Sequence, residues 1–313
     1  MSAPLIHIGY HKTGSSWLQK SVFRRPEAGF GALAKTLDSP LKQLLVIPNA
    51  LDFDPAAVSA ALEPQLQQIE AKGLRAVVSS ERLAGHPFSG GYDSKELATR
   101  LQRVFPTGRV LIVIREQRGI ILSSYKQYVK AGGPASLSGY LNPPERGRER
   151  VPLFDFGHYA YDRLIALYHE LFAPDRVRVA LYEQLANDPR GFVEGIAQFA
   201  GVEVAPEVLA ALPVERPNLA SRGSAVALRR RSNQLFRRTD INPAPLLGAT
   251  ALERPADRVV ASIDRLAPGA LARRLDGRLR DLVAREVGER YRESNRETAL
   301  LTGLDLSGAG YDT

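Results

Sequence analysis

Cysteine is absent from the 313 residues. Disulfides, thiolate-bound zinc, iron–sulfur clusters and thiol nucleophiles are therefore excluded. Also missing is any apolar run approaching the roughly 18 residues of a membrane span. The first residues, MSAP, lead straight into an apolar strand pattern with no basic segment and no long apolar stretch behind it. That start predicts a soluble cytoplasmic protein without a secretory leader. Acidic residues are the minority, 34 Asp and Glu against 42 Lys and Arg, for a net charge of +8. This balance suits nucleotide phosphates, polyanionic sugars, nucleic acid or an anionic membrane. It equally suits a well-solvated Arg-rich surface, and charge alone does not choose. No internal repeat is visible.

What is present is a chain 44% apolar, long enough for one large core. Its first half alternates strand and helix signals. PLIHIGY (4–10), LRAVVSSE (74–81), RVLIVIRE (109–116) and RVRVALYE (176–183) read as strands. The third is continuously apolar, which suits a strand buried on both faces of a parallel sheet. Helical patterns follow them. One is GSSWLQKSVFRR, with Leu18 and Val22 four apart; another is the stripe Tyr161, Leu164, Ile165, Tyr168, Leu171, Phe172. A third, NDPRGFVEGIAQFAGV, opens on a capping Asn/Asp and a proline and closes on Gly201. The Gly- and Pro-rich stretch 131–156 reads as a lid over the strand ends. After about residue 205 the pattern becomes helical and Arg-rich, and the late helix carries Leu279, Leu282, Val283, Val287 and Tyr291 on one face. The prediction is a single α/β domain over 1–313: a three-layer αβα core with a central parallel sheet over 1–205, and a mainly helical C-terminal part over 206–313.

The stretch HIGYHKTGSS (7–16) carries the chemistry. Gly9 and Gly14 have phosphate-loop spacing, with a strand before and a helix after. Such a turn aims backbone N–H groups and a helix N-terminus at an anion. Lys12 adds a mobile charge from inside the loop, and Ser15 and Ser16 add hydroxyls. In nucleoside triphosphate enzymes an Asp beyond a neighbouring strand helps to hold Mg²⁺. Here the obvious neighbour, VLIVI, ends in Arg115. Eight residues later stands Ser123, and the two can converge on a second phosphate. The pattern suits a nucleotide with phosphates at two separated positions, met by protein cations with no metal.

HIGYHKTGSSWLQ resembles the 5′-phosphosulfate loop of PAPS-dependent sulfotransferases, in particular the bacterial and carbohydrate-type branch. IREQRGIILSSY is similar to their 3′-phosphate element. LYEQLANDPRGFVEGIAQFAGV and RYRESNRETALLTGLDL resemble later segments of the family. The resemblance implies a P-loop NTPase-like sulfotransferase fold, with PAPS as sulfuryl donor, PAP as product and no metal. His11, Lys12, Thr13, Gly14, Ser15 and Ser16 would line the 5′ side, and Arg115 and Ser123 the 3′-phosphate. Trp17 is read first as packing the loop helix, with a place at the border of the nucleotide as the alternative. The glycine-lysine-glycine adenosine motif of the cytosolic branch is not visible. Arg222, in a Ser/Gly-rich turn, is the candidate in its place.

Sulfuryl transfer needs in-line positioning, stabilisation of the leaving phosphate and a base for the acceptor proton. Lys12 serves the leaving group. For the base, Glu81 and His86 both follow the strand AVVSS, and Glu81 is preferred because related carbohydrate enzymes commonly use a glutamate. His11 is either a loop-shaping residue or a contact of the sulfate. His7 is read as structural, as is Glu183, which could satisfy backbone donors beyond its strand. The partner is a small-molecule or carbohydrate acceptor, with contacts from the lid and from loops 36–55 and 84–92; no nucleic-acid partner is expected. Two rivals stand beside this reading: a P-loop kinase-like phosphotransferase, and a non-catalytic nucleotide- or polyanion-binding protein.

Overall fold

The computed structural model describes residues 3–33, 41–145, 151–213, 223–248 and 268–313, with six positions between 255 and 263. Five short strands form one parallel sheet: β1 (Leu5–His7), β2 (Phe30–Ala32), β3 (Arg75–Ser79), β4 (Arg109–Ile114) and β5 (Val177–Leu181). Their spatial order is β2-β3-β1-β4-β5, with every pairing parallel. The loop strand β1 is thus central, flanked by β3 and β4. Its backbone pairing extends past His7, because the N–H groups of Ile8 and Tyr10 donate to Leu111 and Val113.

Side chains alternate across this sheet, and so do the cores. Leu5, Val77, Leu111 and Val113 join one apolar cluster, with Trp17, Leu18, Val22 and Phe23 of the loop helix and Phe192, Val193 and Ile196 of the helix Pro189–Ala200. Ile6, Val78, Val110, Ile112 and Ile114 join the other. That second face is covered by the helices Pro55–Glu70, Ser94–Val104, Gln117–Lys130 and Tyr161–Phe172. The result is the αβα arrangement of three layers. In β4 all five residues from Val110 to Ile114 are 0% exposed. Their burial contributes on the order of 10 kcal/mol of gross apolar transfer, which explains why this run makes the firmest strand.

The C-terminal part is helical where described: Gly223–Leu235, Gly269–Val287 and Arg292–Thr302. It shares the second apolar cluster through Val226, Val283, Val287, Leu306 and Tyr311. The late helical pattern breaks at Gly288, whose φ of 50° stops the helix, although Tyr291 beyond the break remains buried. In the stretch 131–156, Leu137, Tyr140, Leu141 and Phe154 are buried. Tyr140 packs on Tyr128 at 4.8 Å and on Phe154 at 4.7 Å between ring centroids, so the described part of this segment is anchored by aromatic packing. Among the described residues no helix is long and apolar enough to cross a membrane.

Candidate active site

The loop from Gly9 to Gly14 leaves β1 at the C-terminal edge of the sheet, where open α/β folds place their ligands. Its curl depends on two positive-φ residues, Lys12 at 71° and Gly14 at 86°. For a lysine this backbone costs about 1–2 kcal/mol, a strain that the surroundings must hold in place. Thr13 does part of that holding: it is buried, and its hydroxyl donates to the carbonyl of Tyr10. The glycines are needed for space as well as for conformation. A Cβ on Gly14 would stand 2.5 Å from Leu185 Cδ2, and one on Gly9 would stand 2.6 Å from His7 Nε2.

The floor under Gly9 is polar. His7 Nε2, Thr13 Oγ1 and Ser15 Oγ all lie within 3.3 Å of the position that a Gly9 Cβ would take. His7 Nδ1 shares a 2.8 Å hydrogen bond with Ser79 of β3, and burial lowers its pKa to about 3, so the ring is neutral. Its Nε2 has no partner, while the buried Ser15 Oγ lies within reach of the Glu81 carboxyl. Unpaired buried polar atoms are costly and uncommon, and the one on His7 lies directly beneath the loop.

Past β4 the chain turns into the helix Gln117–Lys130, capped by Glu116, whose carboxylate accepts from the N–H groups of Arg118 and Gly119. Gly119, Ser123 and Gln127 follow at four-residue steps and so share one face. Arg115 lies along this face: its Nε and one terminal nitrogen stand 3.4 and 3.5 Å from a Cβ placed on Gly119. Arg115 Nη1 also donates to the carbonyl of Lys12 at 3.1 Å, and its guanidinium stacks 4.5 Å over the Tyr182 ring. Lys12 Nζ donates to Gln127 Oε1 at 2.9 Å. The structure therefore brings Lys12, Arg115 and the Ser123 face together. Gln127 was not foreseen, although its phase relative to Ser123 could have found it. Glu183 caps the same wall, accepting from the N–H of Glu116 at 3.1 Å and from the hydroxyl of Tyr311 at 3.2 Å.

Past β3, Glu81 opens a short turn behind Ser80, whose hydroxyl accepts from the N–H of Arg82. Burial pushes the Glu81 carboxyl above the usual carboxylate range, opposed by the nearby Lys12 ammonium and the Ser15 hydroxyl. Lys12 is shifted the other way, held below the ordinary lysine value by burial while Glu81 opposes. Glu81 and Lys12 are thus electrostatic neighbours across the mouth of the loop. His86 is half-buried, with its Nδ1 enclosed and unpartnered. Its ring centroid lies 6.3 Å from that of His11, and burial lowers the pKa of both. Behind them Arg82 pairs with Asp93, and the buried His158 packs 5.0 Å from the Tyr10 ring. Neither the Arg82–Asp93 pair nor His158 was foreseen.

Beside these residues opens a cleft of about 400 Å³ lined by Arg82, His86, Phe88, Ser89, Tyr92, Ala131, Thr239, Asp240 and Ile241. The 84–92 loop was expected near the site; the 239–241 segment was not. Trp17 is 7% exposed within the first apolar cluster, where its ring packs while its Nε1 donates to the Pro213 carbonyl. Arg222 lies outside the described residues, as do 36–40 of the loop expected at 36–55 and 146–150 of the lid.

The parallel sheet and the loop behind its central strand define a P-loop-like α/β protein. Residues 94–206, roughly a third of the chain, match the model of the sulfotransferase family. This segment carries Arg115, Ser123 and Glu183 but neither the loop nor Glu81, and the resemblance read from the motifs is borne out at that level. A sulfotransferase from Alicyclobacillus acidocaldarius is similar in structure with a TM-score of 0.48 and 15% identity, over 87% of this chain and 99% of that one. Mouse sulfotransferase SULT7A1, solved with PAP, gives a TM-score of 0.40 and 12% identity over 88% and 87%. The sulfotransferase domain from the curacin biosynthetic pathway gives 0.38 and 17% over 84% and 97%. Comparison with curated proteins gives no match.

Proposed function

We propose that this protein is a sulfotransferase that takes PAPS as donor and sulfates a hydroxyl of a carbohydrate or small metabolite. The observation that carries the reading is the cationic wall: Arg115 lies on the helix face of Ser123, and Lys12 is held to Gln127 on that same face. Phosphotransferases built on such a loop use the end of the neighbouring strand for a Mg²⁺-holding carboxylate. Here the residue is a cation that braces the loop itself. The residues fit the donor. His7 Nε2 is buried and unpartnered, Ser15 Oγ is buried beside it beneath the loop, and Lys12 supplies a partly buried charge.

When bound, PAPS supplies an activated sulfuryl group on a phosphate leaving group. The loop N–H groups and Lys12 stabilise the charge that grows on that phosphate. Arg115 and Ser123 receive the 3′-phosphate by charge-assisted hydrogen bonding. Glu81 takes the acceptor's proton; its burial raises its basicity relative to an exposed carboxylate. His86 and then His11 are the alternatives for that step.

The test is calorimetric titration with PAP, with 5′-AMP (which lacks the 3′-phosphate) and with Mg-ATP, followed by transfer of labelled sulfate from PAPS. PAP is expected to bind about 10–150-fold more tightly than 5′-AMP, the worth of one charge-assisted contact. Mg-dependent binding of ATP without binding of PAP would sink the reading.

A further inference from the structure

We propose that the cleft beside Arg82 and His86 binds the sulfuryl acceptor as an uncharged, ring-bearing polyol, and that Asp240 turns anionic acceptors away. The proposal rests on the sulfotransferase reading above and names its acceptor class.

Position comes first. His86 lines the cleft, and its ring is 6.3 Å from that of His11, the neighbour of Lys12. Phe88 also lines it and packs 5.7 Å from Tyr128, next in the chain to the Gln127 that holds Lys12. Arg82 follows Glu81 directly. These contacts set the cleft beside the loop that carries Lys12 and the turn that carries Glu81. A volume of about 400 Å³ is in the range of small-molecule sites.

Charge comes next. The chain carries +8, yet the cleft does not share that excess. Arg82 is already committed to Asp93, with side-chain exposures of only 18% and 13%. His86 is held towards its neutral form by burial first and then by the Arg82 and Lys42 charges, with Asp93 opposing. Asp240 is exposed and has no ion-pair partner among the described residues. A carboxylate or sulfate on the acceptor would meet this charge, while the charge of the one arginine on the described lining, Arg82, is already balanced by Asp93 even though its Nη1 can still donate a hydrogen bond.

Hydrogen bonding and shape narrow the class. His86 Nδ1, Thr239 Oγ1 and Arg82 Nη1 are buried and unpartnered. Hydroxyls both donate and accept, so one polyol can serve an imidazole nitrogen, a hydroxyl, a guanidinium and the Asp240 carboxylate. An ammonium would suit Asp240 but could accept nothing from Arg82. The apolar lining is Phe88 and Tyr92, the latter 65% exposed for so large a ring. Such a ring offers a flat apolar surface to one face of a sugar while the rim stays polar.

The experiment titrates the PAP-saturated protein with phenyl β-glucoside, phenyl β-glucuronide and phenyl β-glucosaminide, which share one ring and differ in charge. The glucoside should bind, the glucuronide about tenfold or more weakly by comparison, and the glucosaminide no more tightly than the glucoside. Asp240→Lys should reverse the order of glucoside and glucuronide, with PAP affinity as the control for an intact fold. A glucuronide that binds as well as the glucoside, a glucosaminide that binds best, no glycoside binding, or an unchanged ratio in Asp240→Lys each overturns the proposal. Failure of PAP to bind strikes the sulfotransferase reading instead. The same glycoside series run without nucleotide then still decides the cleft.

Discussion

The loop strand has two neighbours, and the polar groups beyond them are treated in opposite ways. Beyond β4 the groups are tied to one another. Arg115 is fixed by the Lys12 carbonyl and the Tyr182 ring, and its own carbonyl accepts from Tyr161. Gln117 is tied to Asn295 at 2.6 Å, and Glu183 joins Glu116 to Tyr311. Beyond β3, His86 Nδ1, Arg82 Nη1 and Asp93 Oδ1 are buried without partners, as are His11 Nδ1 in the facing loop and His158 Nε2 behind. The first wall is preorganised, which suits holding a fixed anion with cations already in place. The second retains unused hydrogen-bond capacity, each atom at a cost of about 1–3 kcal/mol, which suits a side completed by a bound molecule.

The sharpest way to break this comparison is to remove the reactive group from the second wall. Glu81→Gln keeps shape and removes the proton acceptor, so turnover should fall about 10²–10⁴-fold while PAP affinity barely changes. His86→Ala, assayed with the same acceptor and pH, should lose much less. If His86→Ala is the inactive variant and Glu81→Gln works, the base is reassigned. The pH profile carries the same information. The Glu81 carboxyl titrates above the usual carboxylate range and must be ionised, so activity should rise with pH through that displaced midpoint. It should fall again on the alkaline side below the ordinary lysine value, as Lys12 loses its charge. A rate already flat from the ordinary carboxylate range upward would remove Glu81 from the chemistry.

Lys12 touches both walls, bonded to Gln127 on one side and electrostatically coupled to Glu81 on the other. Lys12→Ala should lower turnover by about 10²–10³-fold, the usual loss for one donor on a developing oxyanion, with circular dichroism unchanged. Near-normal turnover would remove Lys12 from the transition state. Arg115→Ala is the next smaller effect and belongs wholly to the first wall. The preference for PAP over 5′-AMP should collapse towards one, a loss of about 10–150-fold. Equal weakening of both nucleotides would make Arg115 a structural brace only.

Much of this architecture is written locally in the sequence. β1, β3, β4 and β5 fall within the four apolar runs, and the helices Tyr161–Phe172 and Pro189–Ala200 match their stripe and their caps. β2 escapes because its three residues, Phe-Gly-Ala, include a glycine and no β-branched residue and do not sit in a longer apolar run as the equally short β1 does. Arg115 and Ser123 were legible because one strand end and one helical turn join them. Gln127 and Gly119 share that helical phase and were legible in principle. The cleft was not. Arg82 and Asp93 come from one loop, His158 from 65 residues further on, and Thr239 and Asp240 from another helical region, and no spacing rule links segments joined only by packing. Motif membership says nothing of what the side chains of Thr13 and Trp17 do locally: the Thr13 hydroxyl donates to the loop's own backbone, and Trp17 packs in the first apolar cluster, the packing role expected of it.

The smallest expected effect sharpens the comparison most, because it separates bracing from binding. Tyr311 is 4% exposed, and its hydroxyl donates to Glu183, which in turn accepts from the N–H of Glu116 beside Arg115. The phenol is bonded to Glu183 and lies in the electrostatic reach of Glu116 and Arg115, so it can act on the turn that carries Arg115 by fixing Glu183. Tyr311→Phe keeps the ring in its apolar surroundings and removes one hydrogen bond, worth about 0.5–1.5 kcal/mol. Thermal stability should drop slightly. If the wall's rigidity is what selects the 3′-phosphate, the PAP to 5′-AMP preference should fall by a few-fold as well, while binding of 5′-AMP alone holds. A stability loss with an unchanged nucleotide ratio would show that the bond supports the fold without tuning Arg115. Glu183→Gln provides the second reading, since it keeps an acceptor for the N–H of Glu116 while removing the charge. A loss of ratio in Tyr311→Phe that Glu183→Gln does not share would place the effect in the phenol's own contacts.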